Sequence, residues 1–330
     1  MEKVDFTEPT LPEAAGISRR SFLRVGIAGL AAVGADILLP SCGGDEQQPT
    51  APENTPPTSE APKTVGEFGA KPSWVQNFAA MRSGSVDRNV WRHETDPAVP
   101  TYNDEAQAYT ENNVRIERGR GLLIEARRQP YRYPNGPNHK AYGITSGRID
   151  TRDSLSFEYG KFEVEMKMPE GKGTWPAFWF LSANQAHTTK LHPTDADWEK
   201  ERFYLHDGEL DVVEYYGHTP GVVEATLHAY AESTEGHVSV ADAEDAFHTY
   251  GVEVTPTEVR WTIDGKTYFK REKPSDNPDE WPFGNGNQFY AILNLAMGGS
   301  GGGEVDDSKS RWTMEVKSAA FYEYTDKDHG

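Results

Sequence analysis

From about residue 67 onward the chain consists of short runs in which apolar and polar residues alternate. Gly, Pro, Asn and Asp separate the runs, and no long stretch follows the 3.6-residue period of a helix. In "KFEVEMKM", Phe162, Val164, Met166 and Met168 alternate with Lys161, Glu163, Glu165 and Lys167, so one face is core and the other wet. "NVRIERGRGLLIEAR" predicts a hairpin around Gly119 and Gly121, and Asp264-Gly265 inside "EVRWTIDGKTYFK" is the strongest hairpin signal in the chain. With "PAFWFLS", "VEATLHAY", "QFYAILNLAM" and "EVKSAAFYEY", these runs predict an all-β domain of two packed sheets.

One run breaks the alternation. In "GELDVVEYYG", residues 208–217, Glu209 and Asp211 share a face, but Glu214 lies three residues beyond Asp211 and belongs on the other. A β-bulge at Val212-Val213 would restore it, lining one open face with three carboxylates while Leu210 and a valine enter the core. Three acids at a given spacing arise by chance about once in a chain with this many acids, so the spacing alone does not decide. Crowded acids repel one another along a strand, however, and a merely solvated face would gain from mixed signs.

Charge and composition narrow the partners. A formal net charge of -19 argues against nucleic acid or an anionic membrane surface, since phosphate binders carry basic patches. The 15 Tyr, 14 Phe and 8 Trp suit sheet faces and flat apolar ligands such as sugar rings.

The N-terminal part reads as an address. Ser18-Arg19-Arg20-Ser21-Phe22-Leu23-Arg24 resembles a twin-arginine signal, and the apolar run from Val25 to Leu39, interrupted by Asp36, is short for a membrane span. It ends in Leu39-Pro40-Ser41-Cys42-Gly43, which resembles a lipoprotein box with Cys42 as the lipidated residue. Residues 1–41 are thus expected to be a signal peptide, 42–66 a Pro/Thr/Glu-rich tether, and 67–330 the folded domain. Export to the cell envelope follows, with the membrane touched only through the lipid. Cys42 is the single cysteine, so the domain has no disulfide.

Several segments, in order, resemble glycoside hydrolase family 16, and more narrowly its laminarinase-like members with a bulged Glu-x-Asp-x-x-Glu strand. They are "NDEAQAYTENNVRIERGRGLLIEARR", "YGITSGRIDTRDSLSFEYGKFEVEMKMPEGKGTWPAFWFL", "GELDVVEYYG", "FHTYGVEVTPTEVRWTIDG" and "QFYAILNLAMGG". The resemblance implies a concanavalin A-like β-jelly-roll sandwich whose concave face binds a linear polysaccharide and cuts it internally with retention. By position, Glu209 would be the nucleophile, Glu214 the acid/base and Asp211 the residue that tunes the pair. Trp175 and Trp179, four apart on one strand face, would stack on sugars, and His228 would be a further contact or a hydrogen-bonded buried histidine.

The same resemblance sets the alternatives. β-1,3-Glucan of the laminarin type is the leading substrate, a galactan of the agarase or carrageenase kind the second, and a non-catalytic carbohydrate-binding surface lipoprotein a third reading. Ser300-Gly301-Gly302-Gly303 stands where relatives often have a Trp-containing loop. Many relatives bind calcium through an aspartate of the last strand; here the position is Lys317, and Gln76-Asn77-Phe78 replaces the usual acidic start, so no metal and no cofactor is expected. The histidines and aspartates of segment 183–207 (His187, His192, His206, Asp195, Asp197, Asp207) match no familiar ligand spacing and are expected to form a solvated loop beside the cleft. A monomer is expected.

Overall fold

A computed structural model describes residues 68–95, 102–134, 141–184 and 204–325. The signal-like segment, Cys42, the tether, His187, His192, Asp195 and Asp197 lie outside the described residues. The described residues fall in one compact unit, Gly66–Gly330.

Two sheets account for nearly all of it, as the alternation predicts. The ten-stranded sheet runs in the order Lys266–Glu272, Glu258–Ile263, His248–Val254, Gly160–Lys167, Arg311–Glu323, Gly121–Tyr131, Tyr142–Ser146, Gln107–Tyr109. Trp74–Asn77 and Val114–Glu117 add to it from the side. The eight-stranded sheet runs Ser233–Ser239, Val222–His228, Glu209–Tyr215, Thr174–Ser182, Phe289–Met297, Arg148–Asp150, Arg92–His93, with Ser156–Phe157 paired to Phe289–Met297. All pairings but that of Gln107–Tyr109 with Tyr142–Ser146 are antiparallel, giving a jelly-roll sandwich.

Local chemistry sets the registers. Gly160–Lys167 alternates buried and half-buried along its whole length. Asp264 and Gly265 adopt φ 50° and 73°, a turn whose twist matches the strands it joins, and it closes the hairpin Glu258–Ile263/Lys266–Glu272. The other predicted hairpin closes where Glu117 pairs with Gly121. Gly121 is obligatory there, because a Cβ would lie 2.2 Å from the Val316 carbonyl oxygen.

Between the sheets, Phe162 from the ten-stranded sheet meets Phe178 and Phe180 from the other at centroid separations of 5.6 and 5.4 Å. Leu210, Val212, Val213 and Tyr215 join this core, each 0–1 % exposed. The acidic strand is therefore anchored from behind by its apolar side chains. That anchorage fixes where its carboxylates can point.

Candidate active site

Glu209–Tyr215 carries the bulge that the spacing of its acids requires. Against Val222–His228, Asp211 pairs with Thr226 and Glu214 with Glu224, so three residue steps on one strand match two on the other. Against Thr174–Ser182, Val213 faces Phe178 while Asp211 faces Trp179, leaving Val212 as the extra residue. Both valines are buried, and Glu209, Asp211 and Glu214 share the outward face. Pointing away from the core, Asp211 is still only 4 % exposed and Glu209 9 %. That low exposure makes the face a recessed one.

A bulge frees backbone groups from the ladder, and buried ones need partners. The Asp211 carbonyl accepts the indole N–H of Trp261 at 2.8 Å, and the Val212 carbonyl accepts the Tyr268 hydroxyl at 3.5 Å. Both donors come from the Asp264-Gly265 hairpin of the opposite sheet. The strongest turn signal in the sequence thus supports the acidic strand through the core.

Electrostatics separates the three acids. Burial, then the charges of Asp211 and Glu224, push the Glu214 carboxyl up to about 8, so it holds a proton at neutral pH. The Trp175 indole N–H donates to Glu214 Oε1 at 3.0 Å, and the Tyr216 hydroxyl hydrogen-bonds the same carboxyl. Burial, then Glu214, raises the Tyr216 phenol well above its ordinary value, so it stays a donor. His228 Nε2 lies 3.2 Å from Asp211 Oδ2, and its Nδ1 lies 2.8 Å from the Ser233 hydroxyl. Burial opposes its charge, but the hydrogen bond to Asp211 and the surrounding carboxylates prevail and raise it to about 9. Glu209, Asp211 and His228 each bring one ligand atom within 4.8 Å of the others, a set that could hold a cation. The imidazolium itself supplies a positive charge to that set at neutral pH.

The predicted binding residues have particular places. Trp175 and Trp179 share one strand face, half-buried, flanking Ala177, which pairs with Glu214. Trp179 donates to Asn294 Oδ1 at 2.7 Å and lies under the Arg148 guanidinium, 4.8 Å from ring centroid to Cζ. Arg148 is held by Glu94 at 2.9 Å, and Asn294 Nδ2 donates to the Tyr109 hydroxyl at 3.2 Å. Trp175 is enclosed further: Gly299–Gly302 form one helical turn, and a Cβ on Gly301 would lie 2.6 Å from the indole. Where an aromatic loop is absent, glycine backbone lies against Trp175.

Sequence reasoning missed Tyr216, Arg148, Asn294, Tyr109 and Glu224. Only Tyr216, two residues beyond Glu214 and one past the end of the strand, carried a readable signal. Of the expected loop residues, His206 and Asp207 fall in a short helix, Tyr204–Asp207. His206 stacks on Tyr230 at 3.8 Å with Nδ1 2.5 Å from Asp279, and Asp207 is buried, so this end of the segment is packed rather than solvated. Lys317, at the position where relatives carry an aspartate, lies 3.2 Å from Glu165 and 3.9 Å from the Phe247 ring centroid.

Comparison with known proteins agrees with this architecture. The family model for glycosyl hydrolases family 16 matches residues 101–316. A beta-glucanase of Rhodothermus marinus is 34 % identical over 235 residues, 67 % of this chain and 74 % of that protein. The glucan endo-1,3-beta-glucosidase A1 of Niallia circulans is 31 % identical over 275 residues, 76 % of this chain but only 37 % of the relative. The crystallised laminarinase from Rhodothermus marinus superposes with a TM-score of 0.66 at 30 % identity, covering 79 % of this chain and all of that one. With its bulged acidic strand, its two sheets and this matched span, the chain belongs to glycosyl hydrolases family 16.

Proposed function

We propose that the protein is an endo-acting hydrolase of β-1,3-glucan that works by double displacement with retention. The observation that carries the reading is the bulge register, which turns Glu209, Asp211 and Glu214 onto one recessed face. A retaining glycosidase needs a nucleophilic carboxylate and a protonated carboxyl about 5–5.5 Å apart across the scissile bond. Here Glu209 attacks the anomeric carbon, and Glu214, protonated up to about pH 8, gives its proton to the departing glycosidic oxygen. The resulting glycosyl ester on Glu209 is then cleaved by water, whose proton returns to Glu214. Asp211, paired to protonated His228, keeps negative charge between the two and favours the protonated form of Glu214.

β-1,3-Glucan as the substrate rests on what the relatives are named for, a beta-glucanase, a glucan endo-1,3-beta-glucosidase and a laminarinase. The conjunction of all three acids favours catalysis over binding alone, because a binding module has no use for a carboxyl held protonated beside two others. Reducing ends released from laminarin, lichenan, agarose and carrageenan by wild type and Glu209→Gln test substrate and mechanism together. Glu209→Gln should lose at least about 10³-fold in turnover on the preferred glucan with its fold intact. Turnover above a trace would remove Glu209 as nucleophile, and release from agarose or carrageenan alone would move the substrate to a galactan. We further propose twin-arginine export and lipid attachment at Cys42, so that Cys42→Ala protein should leave the membrane fraction.

A further inference from the structure

We propose that Glu224 is a positioning residue for the acid/base, a fourth carboxyl whose charge across the strand pair holds the proton on Glu214. The proposal rests on the acid/base role given to Glu214 above. Glu224 is the direct cross-strand partner of Glu214, and both lie on the cleft face. Side chains directly opposite in an antiparallel pair have Cβ atoms about 4.5–5.5 Å apart, and like charges there oppose each other. Glu224 is also sunk, its side chain 13 % exposed, so water screens the pair little.

The groups facing Glu224 can be named from each strand beside it. From the acidic strand come Glu214 and Asp211, with Tyr216 next along the chain; from its own strand comes His228; from the edge strand Ser233–Ser239 come His237 and Glu235. His237, its cross-strand partner on the far side, places Nδ1 3.5 Å from Glu224 Oε2. A row therefore crosses the sheet: Ala177, Glu214, Glu224, His237. A histidine at the outer end favours charge on Glu224, and charge on Glu224 disfavours charge on Glu214. Burial raises Glu224 as well, with His237 opposing it and Glu235 and Asp211 adding to it; like charges facing each other across the strand pair would make the two carboxyls release their protons as a coupled pair. A glutamine at this position would keep the shape and lose the coupling.

The test is the pH profile of kcat/KM on laminarin for wild type, Glu224→Gln and Glu224→Asp. Glu224→Gln should move the basic limb down by about one pH unit with less than twofold change at pH 5, and Glu224→Asp should stay near wild type. An unmoved limb overturns the proposal. So does an equal fall at every pH with a raised KM, which would make Glu224 a sugar contact. Carbon-13 carboxyl titration of the wild-type protein reads the same coupling without a variant: two shared steps for Glu214 and Glu224 support it, independent single steps overturn it. Azide rescue of Glu214→Ala, read on an aryl β-1,3-gluco-oligosaccharide whose phenolate leaves without a proton donor, separates this proposal from the reading beneath it. If azide restores turnover while the Glu224→Gln limb is fixed, only the role of Glu224 falls; if azide restores nothing, Glu214 is not the acid/base and both fall.

Discussion

Trp261→Phe tests whether the bulge depends on the opposite sheet. Trp261 is fully buried, and its indole N–H is the partner of the Asp211 carbonyl, 2.8 Å away. Phenylalanine keeps an aromatic ring beside Phe269, 4.7 Å from the indole, but leaves a buried carbonyl without that donor. The unsatisfied group costs about 1–3 kcal/mol. The smaller ring leaves a cavity worth about a further 1–2 kcal/mol. A total of about 2–5 kcal/mol corresponds to a fall in Tm of roughly 5–15 °C for a domain this size. Trp91→Phe is the matched control: it is also fully buried, yet its indole nitrogen has no partner among the described residues, so the same truncation removes no hydrogen bond. The pair should therefore differ by about 1–3 kcal/mol in urea unfolding. Trp261→Phe alone should also lose turnover, because the carbonyl it supports belongs to Asp211, between the two acids proposed to carry the reaction. Equal losses of stability in the two variants, with full kcat in Trp261→Phe, would refute the claim that the indole holds the bulge.

Three further outcomes follow from the same geometry. Glu214→Gln should be more stable than wild type at neutral pH. The folded carboxyl, raised to about 8, keeps a proton that the unfolded chain, near its ordinary 4.5, has released, so wild-type stability falls as pH rises through that window. The advantage of the variant in urea unfolding should be absent below pH 4.5, grow by at most about 1.4 kcal/mol per pH unit and level off above 8. Gly301→Ala should reduce kcat with little change in Tm, since the new methyl must tilt the Trp175 indole away from Glu214; misplacement of this kind can cost up to about 10²-fold. Gly265→Ala should cost about 1–2 kcal/mol by thermal unfolding, because the residue sits at φ 73°.

What could be read from the chain alone divides by range. The bulge was legible because side-chain alternation is strict: three steps between Asp211 and Glu214 cannot keep one face without an extra residue. The Asp264-Gly265 turn was legible because few dipeptides accept positive φ at both central positions. The donor to the Asp211 carbonyl was not, since Trp261 lies 50 residues away and reads as one more core aromatic. Trp175 was legible as a cleft residue but not as the partner of Glu214. That role needs the register of Thr174–Ser182 against the acidic strand, which no local pattern contains.

Glu224 shows the same limit most sharply. In "VEATLHAY" it is one acid in an alternating run, and nothing within its strand distinguishes it from a solvated face. Only the bulge makes it matter. Without the extra residue Glu214 would turn into the core, and Glu224 would face water alone. With it, Glu214 comes opposite Glu224 and beside the Trp175 indole. One inserted valine therefore does two things at once: it brings Glu214 to the face that Glu209 already occupies, and it seats that acid against a second carboxyl whose charge discourages its ionisation. In the proposed mechanism the proton that Glu214 donates is held by a register shift, through the like-charge repulsion that the shift brings across the strand pair.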